Sequence, residues 1–237
     1  MLAALPENFS IMGLSERDKL EVAEEHGTGP IQSWLERTAR ELSLWIIGGT
    51  IPLRVPQAGK VAAASLVIDS QGNSVARYDK MHLFDVDIPG REESYRESAT
   101  ITPGNASLVV DTPIGRIGLG VCYDMRFPEL FRQLVQQGAQ VLSLPSAFTM
   151  PTGLAHWDVL LRARAIENLC YVLAPAQAGT HANGRETYGN AMIVNPWGEV
   201  LARASEGPGI ALANVDLTDQ GAIRARFPAL THRRLQS

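Results

Sequence analysis

The sequence has little of what marks several large classes of proteins. It contains only two cysteines in 237 residues, Cys122 and Cys170, each in apolar surroundings, so no disulfide framework is expected. Its five histidines are scattered without the spacing of a metal site, and no glycine-rich loop suited to phosphate occurs. We therefore expect neither a metal nor a nucleotide cofactor.

The chain also lacks a strong excess of either charge and a long apolar segment. The formal net charge is −4, and there is no basic run beyond Arg233 and Arg234, so nucleic acid is not expected as a partner. No apolar run approaches the ~20 residues that cross a bilayer, and Met1 does not open a signal peptide. The sequence predicts a cytoplasmic protein with no membrane partner.

The remaining composition is typical of a folded α/β domain. Hydrophobic residues make up 45% of the chain and charged residues 19%, which allows a large core. No linker or low-complexity tract divides residues 1–237, so a single domain is expected. Strand, helix, strand units in the middle and hairpins at the flanks predict mixed sheets with helices outside.

Hydrophobic periodicity predicts the main elements. A short polar helix after Ser15, a helix from Pro30 to Leu42, a helix over Ala155–Asn168 and a weak helix from Ala222 are expected, and residues 81–105 are expected to form a long loop. The predicted strands include Trp45–Ile51, Val61–Ile68, Ser74–Tyr78, Val141–Leu144, Leu169–Ala174, Tyr188–Val194, Glu199–Arg203 and Ile210–Val215.

The segment around Cys122 places a cysteine at a position suited to catalysis. A buried strand ending near Val121 runs toward a helix that Pro128 opens, so Cys122 follows the carboxyl end of a strand. A thiol there points into the crevice where open α/β folds bind small molecules, and nearby backbone N–H groups favour negative charge. For a lone cysteine, the commoner alternative is a small buried hydrophobe.

A catalytic thiol needs a base or a cation nearby, because a free thiol has a pKa near ~8.5 and is mostly protonated at neutral pH. Glu7 follows a short apolar stretch and a proline, and Lys80 ends a predicted strand, so both could meet Cys122 at one rim of a sheet. No histidine has a clear base role. The alternative for a loop glutamate and a strand-end lysine is plain solvation.

Three blocks of sequence resemble the signature motifs of the nitrilase superfamily of carbon–nitrogen hydrolases, in the family's order, and the resemblance covers essentially the whole chain. Further segments, among them Asn195-Pro196-Trp197-Gly198 and the terminal His232-Arg233-Arg234, resemble the Nit subgroup. The three blocks are Leu5-Pro6-Glu7, Tyr78-Asp79-Lys80-Met81-His82-Leu83-Phe84 and Gly120-Val121-Cys122-Tyr123-Asp124-Met125-Arg126-Phe127-Pro128-Glu129.

The resemblance implies a role for each of five residues. Glu7 would be the general base, Cys122 the nucleophile and Lys80 the electrostatic stabiliser. The backbone N–H of Tyr123 would join Lys80 in holding the oxyanion. A second carboxylate follows the lysine in this family, and Glu97 best matches its surroundings.

Several alternatives remain at this stage. Glu92 and Glu93 lie close to Glu97 and compete with it for the same place. Arg126 is open to two interpretations, a grip on a substrate carboxylate or an ion pair with Glu129 or Asp124. Supporting or packing roles are expected for the remaining candidates, namely His82, Asp85, Trp157 and Cys170.

The resemblance also implies a fold and an activity. The fold is a four-layer α-β-β-α sandwich formed by one carbon–nitrogen hydrolase domain over residues 1–237, which is N-terminally truncated relative to the family and lacks its first strand and helix. The activity is hydrolysis of a small linear amide through a cysteinyl thioester, with the amide of deaminated glutathione favoured and 2-oxoglutaramate, the substrate of an omega-amidase, as the alternative. The family's habit of pairing subunits implies a homodimer or higher homo-oligomer. A non-catalytic interaction protein is the alternative from another class, motivated by the missing start.

Overall fold

The computed structural model describes residues 1–90, 92–204 and 207–235. Helices are α1 (Asp18–Glu21), α2 (Pro30–Leu42), α3 (Pro128–Gln136), α4 (Met150–Asn168) and α5 (Leu217–Arg226), and 3-10 turns cover Glu97–Ala99 and Cys122–Arg126. Strands are β1 (Leu2–Ala4), β2 (Trp45–Ile47), β3 (Ile51–Arg54), β4 (Val61–Ile68), β5 (Ser74–Asp79), β6 (Asp85–Asp87), β7 (Ser94–Arg96), β8 (Val109–Thr112), β9 (Gly115–Leu119), β10 (Val141–Ser143), β11 (Tyr171–Ala174), β12 (Ala178–Thr180), β13 (Glu186–Tyr188), β14 (Met192–Val194) and β15 (Val200–Arg203).

The first sheet has five strands and carries α2 on its outer face. Strand β1 is parallel to β2, whereas β2, β3 and β5 all pair antiparallel with the long strand β4. Every residue of β4 is buried, because its two faces meet different layers. Leu66 and Ile68 pack with Leu35 of α2, whereas Val67 points into the core shared with the second sheet.

The second sheet has six strands in the order β15-β14-β11-β10-β9-β8. Strands β9, β10 and β11 are parallel, with α3 and α4 as crossover helices, and the outer pairs are antiparallel. Phe131 of α3 and Trp157 of α4 are fully buried in the same core cluster as the strand residues. These helices therefore cover the face of the second sheet that lies away from the first.

The layers thus run helix, sheet, sheet, helix, which confirms the predicted α-β-β-α sandwich. Ile47 and Val67 of the first sheet share one buried cluster with Leu119 and Leu142 of the second, so the core lies between the two sheets. Two small hairpins, β6–β7 and β12–β13, stand apart from both sheets. Both contribute residues to the cavity described below.

The prediction of one continuous strand over Trp45–Ile51 is wrong. Strand β2 ends at Ile47, and the chain turns before β3 begins. Gly49 has φ +49°, and a Cβ added there would lie 2.0 Å from the carbonyl oxygen of Pro6. Only glycine tolerates both the backbone conformation and the close approach, so this turn brings the segment before Glu7 against the sheet.

Two more predicted strands also fail. Tyr188–Val194 is divided between β13 and β14, because Gly189 and Asn190 both have positive φ, 66° and 58°. Ile210–Val215 forms no strand at all. The second sheet ends at β15 among the residues that the structure describes, and the segment adds no further strand to that edge.

Helix boundaries differ from the prediction where local capping was overlooked. Helix α4 begins at Met150 rather than Ala155, with a proline in its first turn, and α5 begins at Leu217 because Asp216 accepts hydrogen bonds from the N–H groups of Thr218 and Asp219. The helix expected after Ser15 is the single turn α1, and the expected loop 81–105 contains the hairpin β6–β7. Across the described ranges, no helix has the length and apolarity to span a membrane.

Candidate active site

Three strand ends deliver the three residues singled out in the sequence to one cavity of about 560 Å³. Glu7 lies in the turn after β1, Lys80 directly follows β5, and Cys122 follows β9 at the start of a 3-10 turn. The side chains of all three residues line this cavity together with Glu97 and Tyr123. The two sheets thus meet at this rim.

The backbone at Cys122 adopts an unusual conformation that fixes the direction of the thiol. Its φ is +46°, in the left-handed region that non-glycine residues rarely occupy. The Cys122 N–H donates to the carbonyl oxygen of Pro145 at 2.9 Å, and the preceding N–H of Val121 donates to the Asp124 carboxylate at 2.8 Å. These bonds hold the turn in its strained conformation.

Lys80 is the centre of a buried ion cluster. Its ammonium donates to Oε1 of Glu7 at 2.8 Å and to the two carboxylate oxygens of Glu97 at 2.9 and 2.8 Å, while the residue is only 2% exposed. Burial lowers the Lys80 pKa, but attraction to Glu7 and Glu97 outweighs it, so the pKa lies well above its usual value. Lys80 is therefore a permanent cation.

Glu7 is held as a carboxylate although it is 3% exposed. Burial raises its pKa, whereas the charge and hydrogen bond of Lys80, together with a hydrogen bond from the Cys122 thiol, bring the pKa below its usual value. The Glu7 carbonyl oxygen also accepts a hydrogen bond from Nε2 of Gln177 at 3.1 Å. The glutamate can thus accept a proton from sulfur at neutral pH.

The thiol is protonated at rest. Burial and the neighbouring Glu7 carboxylate raise the Cys122 pKa far above its ordinary value, and Lys80 and the N–H of Ala147 offset only part of this. The resting pair is therefore a thiol that donates to a carboxylate. A thiol in this state becomes a nucleophile only when Glu7 removes its proton.

Glu97, rather than Glu92 or Glu93, is the acid that touches the lysine. Besides Lys80, its Oε2 accepts from the N–H of Phe84 at 2.7 Å, which ties the loop after Lys80 to the 3-10 turn. Glu92 and Glu93 also line the cavity, but Lys80 forms its ion pairs with Glu7 and Glu97. The structure thus places Glu97 where the resemblance implies the second carboxylate.

The Tyr123 N–H lies in the first turn of the 3-10 segment, where N–H groups have no partner within the helix. The Tyr123 ring packs edge-on against Phe84 and Phe127, at centroid distances of 5.1 and 5.3 Å. This packing fixes the backbone next to the nucleophile. The Tyr123 N–H directly follows Cys122, and the Lys80 ammonium lines the same cavity, so both are candidate donors to an oxygen bound beside the thiol.

Arg126 lines the cavity and makes neither of the ion pairs considered from the sequence. Its guanidinium lies over the rings of Tyr123 and Phe148, at 5.9 and 5.6 Å from the centroids, and Nη2 contacts Nδ1 of His156 at 3.1 Å. Burial and the Arg126 charge lower the His156 pKa, so the imidazole is neutral and accepts this hydrogen bond. In the described part of the chain, no carboxylate forms an ion pair with Arg126.

The supporting roles expected for other residues are confirmed. His82 bonds to the buried Asp124 through its N–H and its Nδ1, and Asp85 accepts from the N–H of Ser98. Trp157 and Cys170 are fully buried in the core.

Over residues 1–90, 92–204 and 207–235, no group of three or more His, Cys, Asp or Glu side chains forms a candidate metal site.

Two contributors to the site were missed from the sequence. Asp124 was considered only as an ion-pair partner of Arg126, although its place two residues after the cysteine is a signal for a side chain that bonds back to the turn. Arg185, which extends into the cavity from the β12–β13 hairpin, gave no signal, because nothing in the local sequence shows where a polar loop will fold.

Comparison with known proteins agrees with this geometry. The family model described as carbon-nitrogen hydrolase matches residues 1–225, and the chain belongs to this family. It is 45% identical over 216 residues to the deaminated glutathione amidase of Yersinia enterocolitica, a match that covers 91% of this chain and 76% of that protein. The predicted resemblance to the carbon–nitrogen hydrolases is therefore confirmed.

Solved structures of relatives have the same fold. The NitFhit protein of C. elegans superposes with a TM-score of 0.90 at 43% identity, covering 98% of this chain and 56% of that one. Nit3 of Saccharomyces cerevisiae, described as a member of branch 10 of the nitrilase superfamily, superposes with a TM-score of 0.87 at 32% identity, covering 99% of this chain and 84% of that one. These matches extend the likeness from the motifs to the whole architecture.

Proposed function

We propose that this protein is an amidase that hydrolyses a small linear amide through a cysteinyl thioester. One observation supports this most strongly: Cys122, Glu7 and Lys80 line one cavity, and the Glu7 carboxylate accepts a hydrogen bond from the Lys80 ammonium at 2.8 Å. A nucleophile, a base and a cation in one cavity are the parts that acyl transfer requires.

The first half-reaction forms the thioester. The sulfur of Cys122 attacks the amide carbonyl carbon while Glu7 takes the thiol proton, and the oxyanion that forms is held by the Lys80 ammonium and the Tyr123 N–H. Glu7 then gives the proton to the amine nitrogen, the carbon–nitrogen bond breaks, and the amine leaves. Loss of one oxyanion donor typically costs ~3 kcal/mol of barrier.

The second half-reaction releases the acid. Glu7 takes a proton from a water molecule whose oxygen attacks the thioester carbon, and the same donors hold the second oxyanion. The carbon–sulfur bond breaks, and the proton on Glu7 returns to sulfur. Glu97 keeps the Lys80 ammonium in place throughout, because it accepts from Nζ through both of its oxygens.

The substrate that we propose is the amide of deaminated glutathione, which would give 2-oxoglutarate and cysteinylglycine. The 45% identity to a deaminated glutathione amidase supports this choice. The Arg126 guanidinium has no carboxylate partner among the described residues. It is therefore suited to bind the carboxylate of the acyl group. The alternative substrate, 2-oxoglutaramate, has the same acyl group and ammonia as its amine.

Intact-mass analysis tests the proposal. Brief exposure to deaminated glutathione, followed by acid quenching, is expected to add the mass of a 2-oxoglutaryl group to Cys122 and to release cysteinylglycine. A Cys122→Ala variant is expected to show neither the adduct nor turnover, whereas Cys170→Ala retains both, because Cys170 is buried in the core away from the cavity. An unmodified, unreactive Cys122 would instead favour the non-catalytic interaction protein.

The proposal includes a homodimer in the cytoplasm. Four large apolar side chains are exposed on one side of the molecule: Val159 and Ile166 of α4, seven residues apart on one helix face, and Trp197 and Phe227, whose rings pack edge-on. The turn at Gly198 packs beside Ile166, which makes the surface continuous. Exposed apolar patches of this kind are typical of subunit interfaces.

The cytoplasmic location rests on the two free, buried cysteines.

A further inference from the structure

Arg185 occupies a wall of the cavity that no step of the proposed mechanism uses. It immediately precedes β13, in the hairpin beside the site. Its Nη2 donates to the carbonyl oxygen of Ala147 at 2.6 Å, and its guanidinium lies 5.1 Å from the ring centroid of Tyr95 in the β6–β7 hairpin. Arg185 is thus held between the two small hairpins.

The hydrogen-bonding capacity of Arg185 is largely unused. A guanidinium has five N–H donors, and one of them goes to Ala147. The Nε atom is buried and has no hydrogen-bond partner, and none of the acidic residues in the described ranges forms an ion pair with this guanidinium. A buried N–H without an acceptor is unfavourable. The site therefore suits an anionic ligand group.

Other cations of the cavity are already neutralised. Lys80 has Glu7 and Glu97, and Lys19 bonds to Glu16 at 2.7 Å. Arg96, at the cavity rim, forms an ion pair with Asp87 at 2.8 Å. Arg126 and Arg185 are the two lining cations for which the described residues offer no such partner. The cavity thus has two places for a carboxylate.

The two guanidinium groups are held by different residues of the cavity wall. Arg126 packs on Tyr123, whose N–H faces the acyl oxygen in the proposed mechanism. Arg185 instead lies over the Tyr95 ring and donates to Ala147, and its charge adds to the lowering of the Glu7 pKa. Because Glu7 must protonate the departing amine, the amine and its substituent lie on the Arg185 side.

We infer that Arg185 binds a carboxylate carried by the amine half of the substrate, so that the cavity selects amides with an acid group on both sides of the scissile bond. This inference rests on the proposed function and refines it. A planar guanidinium can accept such a carboxylate through two parallel hydrogen bonds. An amide whose leaving group is ammonia has nothing to place there and gains nothing from Arg185.

The test compares three amides that share the 2-oxoglutaryl group: deaminated glutathione, its C-terminal carboxamide and 2-oxoglutaramate. For the native enzyme, replacing the carboxylate by the carboxamide is expected to lower kcat/KM by about 10- to 100-fold, mainly through KM, as expected for a charge-assisted hydrogen bond. In Arg185→Met, deaminated glutathione is expected to fall to the level of the carboxamide. Turnover of 2-oxoglutaramate is expected to fall much less than turnover of deaminated glutathione, because its ammonia leaving group places nothing against Arg185, so the ratio between the two amides reports the carboxylate contact.

Two further variants sharpen the comparison. Arg185→Lys keeps the charge but not the fork, and an intermediate preference for the carboxylate is expected. Arg37→Gln removes an exposed arginine that lies outside the cavity and is expected to leave the kinetics of all three amides unchanged. Equal losses on the three amides in Arg185→Met would overturn the inference, because they would mean that Arg185 acts only through Glu7.

Binding separates this inference from the proposed function. In a Cys122→Ala background, calorimetry is expected to show that deaminated glutathione binds more tightly than its carboxamide, and that Arg185→Met abolishes the difference. No difference in that background would overturn the role of Arg185, even if the enzyme hydrolyses amides. Carboxylate-dependent binding without any turnover by the native enzyme would instead refute the amidase and leave the Arg185 site standing.

Discussion

Asp124→Asn is the substitution that tests most directly how the nucleophile is positioned. Asp124 is fully buried, and its two carboxylate oxygens accept four hydrogen bonds. Oδ2 accepts from the Tyr78 hydroxyl at 2.7 Å and the Val121 N–H at 2.8 Å, whereas Oδ1 contacts the N–H and Nδ1 of His82 at 2.9 and 2.7 Å. This one side chain therefore ties the residue before Cys122 to the loop after Lys80.

The expected magnitude follows from the donors that an amide cannot satisfy. An amide NH₂ at the Oδ2 position would face the Val121 N–H, and at the Oδ1 position it would face the His82 N–H. The tyrosine hydroxyl and the imidazole can reverse their roles, but a backbone N–H cannot. One buried N–H is orphaned in either orientation, at ~1–3 kcal/mol, and the charge of the remaining acceptor is lost as well, so about 2–4 kcal/mol of stability should disappear.

Urea unfolding and steady-state kinetics measure the two consequences. The transition midpoint should fall with an unchanged m-value, and kcat should fall more than KM rises, because the left-handed turn at Cys122 has lost its anchor. Asp69→Asn is the matched control. Asp69 accepts from Gln71 and Asn73 in a hairpin turn outside the cavity, where an amide can be accommodated. Native stability and native kcat in Asp124→Asn would refute the positioning role.

Four further predictions concern the charge cluster and the exposed surface. Glu97→Gln should lower kcat by about 10- to 100-fold, since an amide keeps only one acceptor for Lys80, while the circular dichroism spectrum stays native. A native kcat would show that the second carboxylate is dispensable. Because the Cys122 pKa is raised by burial and Glu7, alkylation by iodoacetamide should not show the usual acceleration around pH 8.5, and an ordinary thiol titration there would contradict the resting state described above. Since the Glu7 pKa is lowered, its base form persists as the pH falls, and kcat/KM should decline only below the ordinary glutamate range near about pH 4.3. Ile166→Glu should shift the mass in light scattering from dimer to monomer, whereas Arg37→Gln should not; a monomeric native protein would reject the dimer.

Much of the site was predictable because its residues lie in short, local strings. Glu7, Lys80 and Cys122 each follow the end of a strand, and such ends converge at the rim of a sheet. Their positions along the chain were compatible with one shared site but did not require it. The family resemblance indicated that the three residues act together. The resemblance favoured Glu97 over Glu92 and Glu93, and the structure adds the reason, because Glu97 is the one of these three acids that forms an ion pair with Lys80.

The failed predictions share a physical cause, which is dependence on distant partners. Gly49 ends a strand because the backbone of Pro6 approaches it, a contact between segments more than forty residues apart. Ile210–Val215 has strand-like composition but pairs with no strand in the described part of the chain. Arg185 reaches the cavity only because the β12–β13 hairpin folds over it. Local pattern cannot report any of these contacts.

The arrangement of two carboxylates around one ammonium explains why the nucleophile is stored as a thiol. At rest, Glu7 and Glu97 are anionic, Lys80 is cationic and Cys122 is neutral, so the cluster carries one net negative charge. In the proposed mechanism, sulfur attacks while Glu7 takes the thiol proton, so Glu7 becomes neutral and the oxyanion carries the charge instead. The buried cluster therefore keeps the same net charge through the step. The Lys80 ammonium first stabilises the Glu7 carboxylate and then the oxyanion. A change of net charge in such a buried place would be costly, and the general-base route avoids it.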